Sequence, residues 1–160
     1  MAIQQKITPF LWFDGNAEEA VGFYTSIFKN SRIVTRSRYG DAGPGTKGSI
    51  MAIAFKLEGQ DFVALNCGPH FKFTEAISLY ISCEMQEEIE LFWDRLGAGG
   101  EERDCGWLKD RFGLSWQVNY AGIQDMMSDS HPDRADRVLQ AMLKMKKIDI
   151  QRLKDAYEDD

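Results

Sequence analysis

The chain repeats itself. Glu18-Glu19-x-x-x-Phe23-Tyr24 recurs as Glu87-Glu88-x-x-x-Phe92-Trp93, and at the same offset Ala20 and Ile27 fall on Ile89 and Leu96. Both copies keep the i, i+3, i+4, i+7 spacing of a helix with one apolar face. Amphipathic helices resemble one another by chance, so the match gains its weight from the flanks. Each helix follows an apolar strand and precedes three short strand-like segments. A unit of that kind leaves a half-covered sheet and closes no core alone, so the two copies are expected to fold as a pair.

The first copy reads as follows. Residues 7–13 are apolar and aromatic and stop at Asp14-Gly15, which predicts a buried strand with Pro9 near its start. Asn16 with Glu19 three residues on has the form of a capping box opening the first helix. Residues 32–39 and 49–57 alternate, the latter placing Met51, Ile53, Phe55 and Leu57 on one side. Glu58-Gly59-Gln60-Asp61 then turns into Phe62–Asn66. The connector Gly40–Gly48 is rich in turn formers and predicts a mobile surface loop.

The second copy opens on Ile77–Ser82, with Ile77, Leu79 and Ile81 on one face and Ser78, Tyr80 and Ser82 on the other. Its helix buries Ile89, Phe92, Trp93 and Leu96 and stops at Gly97 and Gly99-Gly100. Short strands near 101–104 and 107–110 lead to a last strand from Leu114 to Tyr120. Lys109, Asp110 and Arg111 read as turn and edge charges, with a pocket rim as the alternative for Lys109. A helical tail runs from about Pro132 to Tyr157. Ala135, Val138, Leu139 and Met142 form its first apolar face, and Asp149 starts a fresh helix with Ile148 and Leu153 as a hydrophobic staple. Module one is expected over about 5–67, module two over about 75–121 and the tail over about 131–158, within a single domain spanning 1–160.

The 160 residues suffice for one well-packed domain. No run approaches the roughly 18 apolar residues that span a bilayer, and Met1–Lys6 lacks the layout of a signal peptide. Three widely spaced cysteines make a poor disulfide framework. The expectation is a cytoplasmic protein. A net charge of −6, with Lys144, Lys146 and Lys147 the one basic concentration, argues against nucleic acid or a membrane surface as partner.

Four segments carry a family resemblance: Thr8 to Ala20, Ala64 to Pro69, Cys105 to Gln117, and Met142 to Ile150. Together they resemble the PhnB-like branch of the glyoxalase/bleomycin-resistance/extradiol-dioxygenase group, the vicinal oxygen chelate superfamily. The resemblance implies an α+β fold in which two βαβββ modules wall a cup, and commonly a homodimer. Some members are labelled 3-demethylubiquinone-9 3-methyltransferase. This chain lacks the Gly-rich turn between first strand and first helix with which methyltransferases of the usual kind approach their cofactor.

The resemblance also implies where a divalent ion would sit, on ligands from the first and last strands of each module. Those positions hold Thr8 or Pro9, Ala64 or Asn66, Ser78 or Ile77, and Gln117. None is a histidine or carboxylate, and one neutral Gln117 does not hold a dication. His70 and His131 stand in loop and helix-start contexts without ligand spacing. Cys67, three residues before His70, suggests a thiolate–imidazole pair only weakly, since no third group orients it. No metal and no cofactor are expected.

Strand parity then selects the residues that line the cup. Most aromatics belong in the core. Yet Thr8, Phe10 and Trp12 share one face, as do Ser78 and Tyr80, and Ser115, Gln117 and Asn119. With Asn66 and Trp107, the ligand-binding candidates are Thr8, Phe10, Trp12, Asn66, Ser78, Tyr80, Trp107 and Gln117. Aromatic walls with a few amides and hydroxyls suit a small, partly apolar molecule. Two other readings stay open at this point. One is a metal-dependent lyase or dioxygenase with unorthodox ligands, and the other is a dimeric interaction protein whose cup is filled by its own side chains.

Overall fold

The computed structural model describes residues 5–159. The chain divides into two compact units that part between Phe73 and Thr74. In the first, β1 (Phe10–Phe13), α1 (Ala17–Ile27), β2 (Ser31–Arg38), β3 (Ile50–Leu57) and β4 (Gln60–Asn66) form a sheet of order β1-β4-β3-β2. The second has β5 (Leu79–Cys83), α2 (Gln86–Gly97), β6 (Glu101–Glu102), β7 (Trp107–Lys109) and β8 (Ser115–Tyr120), in the order β5-β8-β7-β6. Both sheets pair their first and last strands in parallel, and their other neighbours run antiparallel. The duplication visible in the helices therefore extends to topology, and the α+β fold of two βαβββ units is the one expected. Helices α3 (Ile123–Met127), α4 (Pro132–Leu143) and α5 (Ile150–Glu158) complete the second unit. Among the described residues no helix is long and apolar enough to cross a membrane.

Each helix buries the face its spacing marked. Ala17, Ala20, Val21, Tyr24 and Ile27 of α1 and Ile89, Trp93 and Leu96 of α2 are buried. Each large apolar side chain removed from water contributes about 1.5–3 kcal/mol, so these two faces fix the layers. Phe23 and Phe92, counted with them in the sequence, are half-buried at the edges of the faces.

Four expectations need correction. The first strand starts at Phe10 rather than residue 7. Pro9 has no N–H to give a ladder, although its carbonyl accepts from Val63 N at 3.0 Å. Ahead of it the Gln5 side chain takes over, bonding Asp61 N and Asp61 O at 3.0 and 2.8 Å. Second, Asn16 occupies the cap position of α1 but its side chain makes no cap bond. The Ala17 N–H instead donates to Asn66 Oδ1 at 3.0 Å, so the helix is capped from the end of β4.

Third, Asp110 is no edge charge. It is 2% exposed and accepts from Phe112 N, Leu114 N and Trp116 Nε1 at 2.8, 3.1 and 2.9 Å. A turn whose N–H groups point inward holds the carboxylate there, and the indole closes the ring. Fourth, the stretch between β8 and the tail contains α3, a single short helix whose pattern is too brief to read. The tail otherwise follows the sequence: Asp149 accepts from Arg152 N at 3.0 Å as the cap of α5, and Ile148 and Leu153 are fully buried.

The tail is stitched to its own unit. Cys105 N and Gly106 N donate to Met145 O and Lys146 O, both at 2.8 Å. Gln86 at the start of α2 donates to Ile148 O and accepts from Ile150 N, both at 2.9 Å. Gly106 is required at this seam. Its φ is +79°, and a Cβ there would lie 2.6 Å from Val118 O and 2.9 Å from the Ile148 side chain.

Candidate functional site

Register divides each sheet into two faces. In the first unit Leu11, Phe13, Ile53, Phe55, Phe62 and Ala64 turn toward α1 and are buried. Phe10 and Trp12 lie on the other face, opposite Val63 and Leu65. Phe10 is 63% exposed. Trp12 is half-buried, its indole N–H donating to Gly68 O at 2.9 Å and its ring meeting the Phe71 edge at a centroid distance of 4.8 Å. Thr8 lies ahead of β1, its hydroxyl 3.5 Å from Gln5 O. Asn66 does not join this face. Its amide turns to the helix side, giving one bond to Ile50 O at 3.1 Å besides capping α1.

In the second unit three of the sequence candidates form one row. Tyr80 pairs with Gln117, and Gln117 with Trp107, across β5, β8 and β7. The Gln117 amide donates to Ser78 Oγ at 2.9 Å, joining the fourth. Tyr80 remains 43% exposed, whereas Trp116 and Val118 on the opposite face pack inward. Burial, with Cys83 adding to it, raises the Tyr80 pKa, so the phenol stays a neutral donor.

The same face carries charges that the sequence reading missed. Glu101 pairs with Lys109, and Lys109 with Ser115, in the row next to Trp107 and Gln117. Arg103 Nη1 and Lys109 Nζ meet a single oxygen, Glu75 Oε1, at 2.6 and 3.0 Å. The Lys109 hydrogen bond, with a backbone bond and Arg103 after it, brings the Glu75 carboxyl down to about 2. Of these charges Lys109 is the one that the sequence offers for a pocket rim. Glu75 lies in a turn before β5, where no periodicity points to it.

A groove of about 590 Å3 lies in the first unit, at the ends of β2 and β4 and the start of α1. Tyr39, buried between them, donates to Asn66 O at 2.5 Å and lies 3.5 Å from Cys67 Sγ. The Gly-rich connector folds over this ring, and a Cβ on Gly45 would sit 2.1 Å from it. The expected surface loop is therefore an exposed loop anchored on Tyr39. Cys67 has the Tyr39 hydroxyl as its neighbour, and His70 lines the same groove. The thiols of Cys83 and Cys105 are raised chiefly by burial, Cys83 to about 12, which disfavours the thiolate at both.

These donors do not fit a divalent ion. Among the described residues no three His, Cys, Asp or Glu side chains come together as a metal site. Of the implied ligand positions, Ala64 has no donor atom, Asn66 is committed to α1, and Gln117 is bonded to Ser78. His131 is exposed and bonded to Asp129.

The paired βαβββ units, with helices on one face of each sheet, define the glyoxalase-like class of the vicinal oxygen chelate superfamily. The family model described as 3-demethylubiquinone-9 3-methyltransferase matches residues 5–119, and the chain belongs to that PhnB-like family. Among solved structures it is similar to a PhnB protein from Bacillus cereus that bears the same methyltransferase designation. The two are 43% identical with a TM-score of 0.67, over 73% of this chain and 100% of that one. PA1353 from Pseudomonas aeruginosa shares the fold at 22% identity and a TM-score of 0.62, over 73% and 98% of the two chains. The fosfomycin resistance protein FosX from Listeria monocytogenes shares it at 14% identity and a TM-score of 0.58, over 80% and 100%. No curated protein matches the chain. The methyltransferase description names the family, and the specific reaction is not established. Helices α3 to α5 lie beyond the matched residues.

Proposed function

We propose that the protein binds a small, partly apolar molecule on the faces of its two sheets that turn away from α1 and α2, and does so without the metal usual in its superfamily. The observation that carries this reading is the row Tyr80–Gln117–Trp107 with Ser78 bonded to it. Two aromatic surfaces flank an amide and a hydroxyl, in a sheet whose opposite face is already spent on packing. Phe10 and Trp12 give the first unit a matching aromatic face. Contiguous aromatic surface left open on a folded protein marks interaction sites. Thr8 borders that face, whereas Asn66 contributes to the fold.

Trp12 and Trp107 supply the test. Quenching of tryptophan fluorescence by a panel of small aromatic compounds should show about tenfold weaker binding in Trp107→Ala and in Trp12→Ala, each shown to be folded by circular dichroism. Equal quenching in both variants would remove the reading. The homodimer belongs to the same proposal. Light scattering at micromolar concentration should return twice the chain mass, and a monomer would remove that part.

A further inference from the structure

We propose that Arg103 and Lys109 form a seat for the carboxylate of a small acid, and that Glu75 is the seat's resident occupant, displaced when the acid binds. The inference rests on the second sheet being a binding face and adds the charge of the ligand.

The seat is built on regular structure. Lys109 ends β7, and Arg103 continues the line of β6, its N–H donating to Trp107 O at 2.8 Å. Both side chains are about two-thirds covered, at 32% and 28% exposure. Glu75 has no such support. It sits in a turn outside every strand and helix, and its side chain is the most exposed of the three at 42%. Two cations thus converge on a carboxylate held mainly by them. Exchanging it for another carboxylate preserves the charge balance, and part-exposed ion pairs of this kind contribute little to stability.

With Glu75 in place the seat is incompletely satisfied. Arg103 Nε and Ser115 Oγ are buried side-chain polar atoms of the described residues without a hydrogen-bond partner, the first on a seat residue and the second on the strand position paired with Lys109. Arg103 Nε lies 3.4 Å from Glu101 Oε1, an ion-pair distance outside hydrogen-bond geometry. Ser115 is 1% exposed and is the register partner of Lys109, so its side chain shares that face. Buried polar groups are normally paired, and an orphaned pair beside two cations is chemistry suited to a ligand's second oxygen. The neighbouring row of Trp107, Gln117 and Tyr80 offers an aromatic wall. A small aromatic acid fits both.

The test uses benzoate and, as its neutral counterpart, benzyl alcohol, titrated calorimetrically into the full-length protein. Glu75→Gln should bind benzoate about tenfold more tightly than the unsubstituted chain, because the seat is vacated while its cations remain. Adding Arg103→Met to Glu75→Gln should abolish that gain, and benzyl alcohol should bind all three proteins alike. Should Glu75→Gln fail to fold by circular dichroism, Glu75→Asp, which withdraws the carboxylate by one methylene, should shift benzoate in the same direction. Benzoate affinity unchanged or weakened in the folded variant overturns the seat. In that event binding of benzyl alcohol leaves the face itself standing, and binding of neither compound removes both.

Discussion

The two sheets share strand order and strand direction, yet they stabilise themselves differently. In the first unit β2 and β3 are eight residues each, and the last strand caps its own helix through Asn66. In the second, β6 and β7 shrink to two and three residues, and the start of α2 is tied through Gln86 to the tail. The first copy caps its helix from its own last strand. The second has shorter ladders and an appended helical layer. Duplication fixed the topology, while the side chains on each face were free to take different work.

The largest effect expected from this contrast follows removal of residues 131–160. Val138, Met145, Ile148, Ile150 and Leu153 are buried, and at about 1.5–3 kcal/mol each their loss rivals the whole stability of a domain. Hydrogen exchange should show β5–β8 amides unprotected and β1–β4 amides still protected. Equal protection in both would erase the difference between the copies.

Next comes Asp110→Ala, which leaves three donors, one of them the Trp116 indole, without their acceptor. Chemical denaturation should show a loss of about 3–5 kcal/mol. A loss below 1 kcal/mol would show that the carboxylate does not organise the turn. Asn66→Ala removes the cap that the first copy supplies to itself and should cost about 1–2 kcal/mol by the same measurement. If Asn16→Ala costs as much, the cap has been assigned to the wrong residue.

The smallest effect is in acid. The Glu75 carboxyl titrates at about 2 in the folded chain against an ordinary 4.5, so its contribution is complete above 4.5 and is lost as pH falls toward 2. Asp129, held down to about 2 first by Tyr157 and then by His131, loses its contribution over a similar window. Thermal midpoints of Glu75→Gln and the unsubstituted chain should therefore converge between pH 4.5 and 2. A gap constant with pH would mean that Glu75 is not held by charge.

Much of the fold was legible because it is written in periodicity. The helix faces, the strand alternation and the Asp149 cap are local patterns, and each needs only a few neighbouring residues. What stayed hidden depends on distant partners. Asn66 capping α1, Gln86 bridging to the tail and Tyr39 beneath its loop each join positions with no sequence relation. Asp110 looked like a surface charge because charge patterns do not reveal which N–H groups a turn aims inward. The site shows the same division. Parity put Phe10, Trp12, Tyr80 and Gln117 on the faces away from the helices, as the register has them, whereas Asn66, chosen by its place in the last strand, is paired with Phe13 on the helix side. Glu75 escaped altogether, since a turn residue carries no period.

The central claim is that the sheet faces away from the helices bind a small molecule without a metal. Amide NMR of the full chain, titrated with small aromatic compounds in the presence and absence of EDTA, addresses it most directly. The account predicts shifts centred on Phe10, Trp12, Ser78, Tyr80, Trp107 and Gln117 that are the same with chelator present. Shifts confined to other residues, or abolished by EDTA, would contradict it.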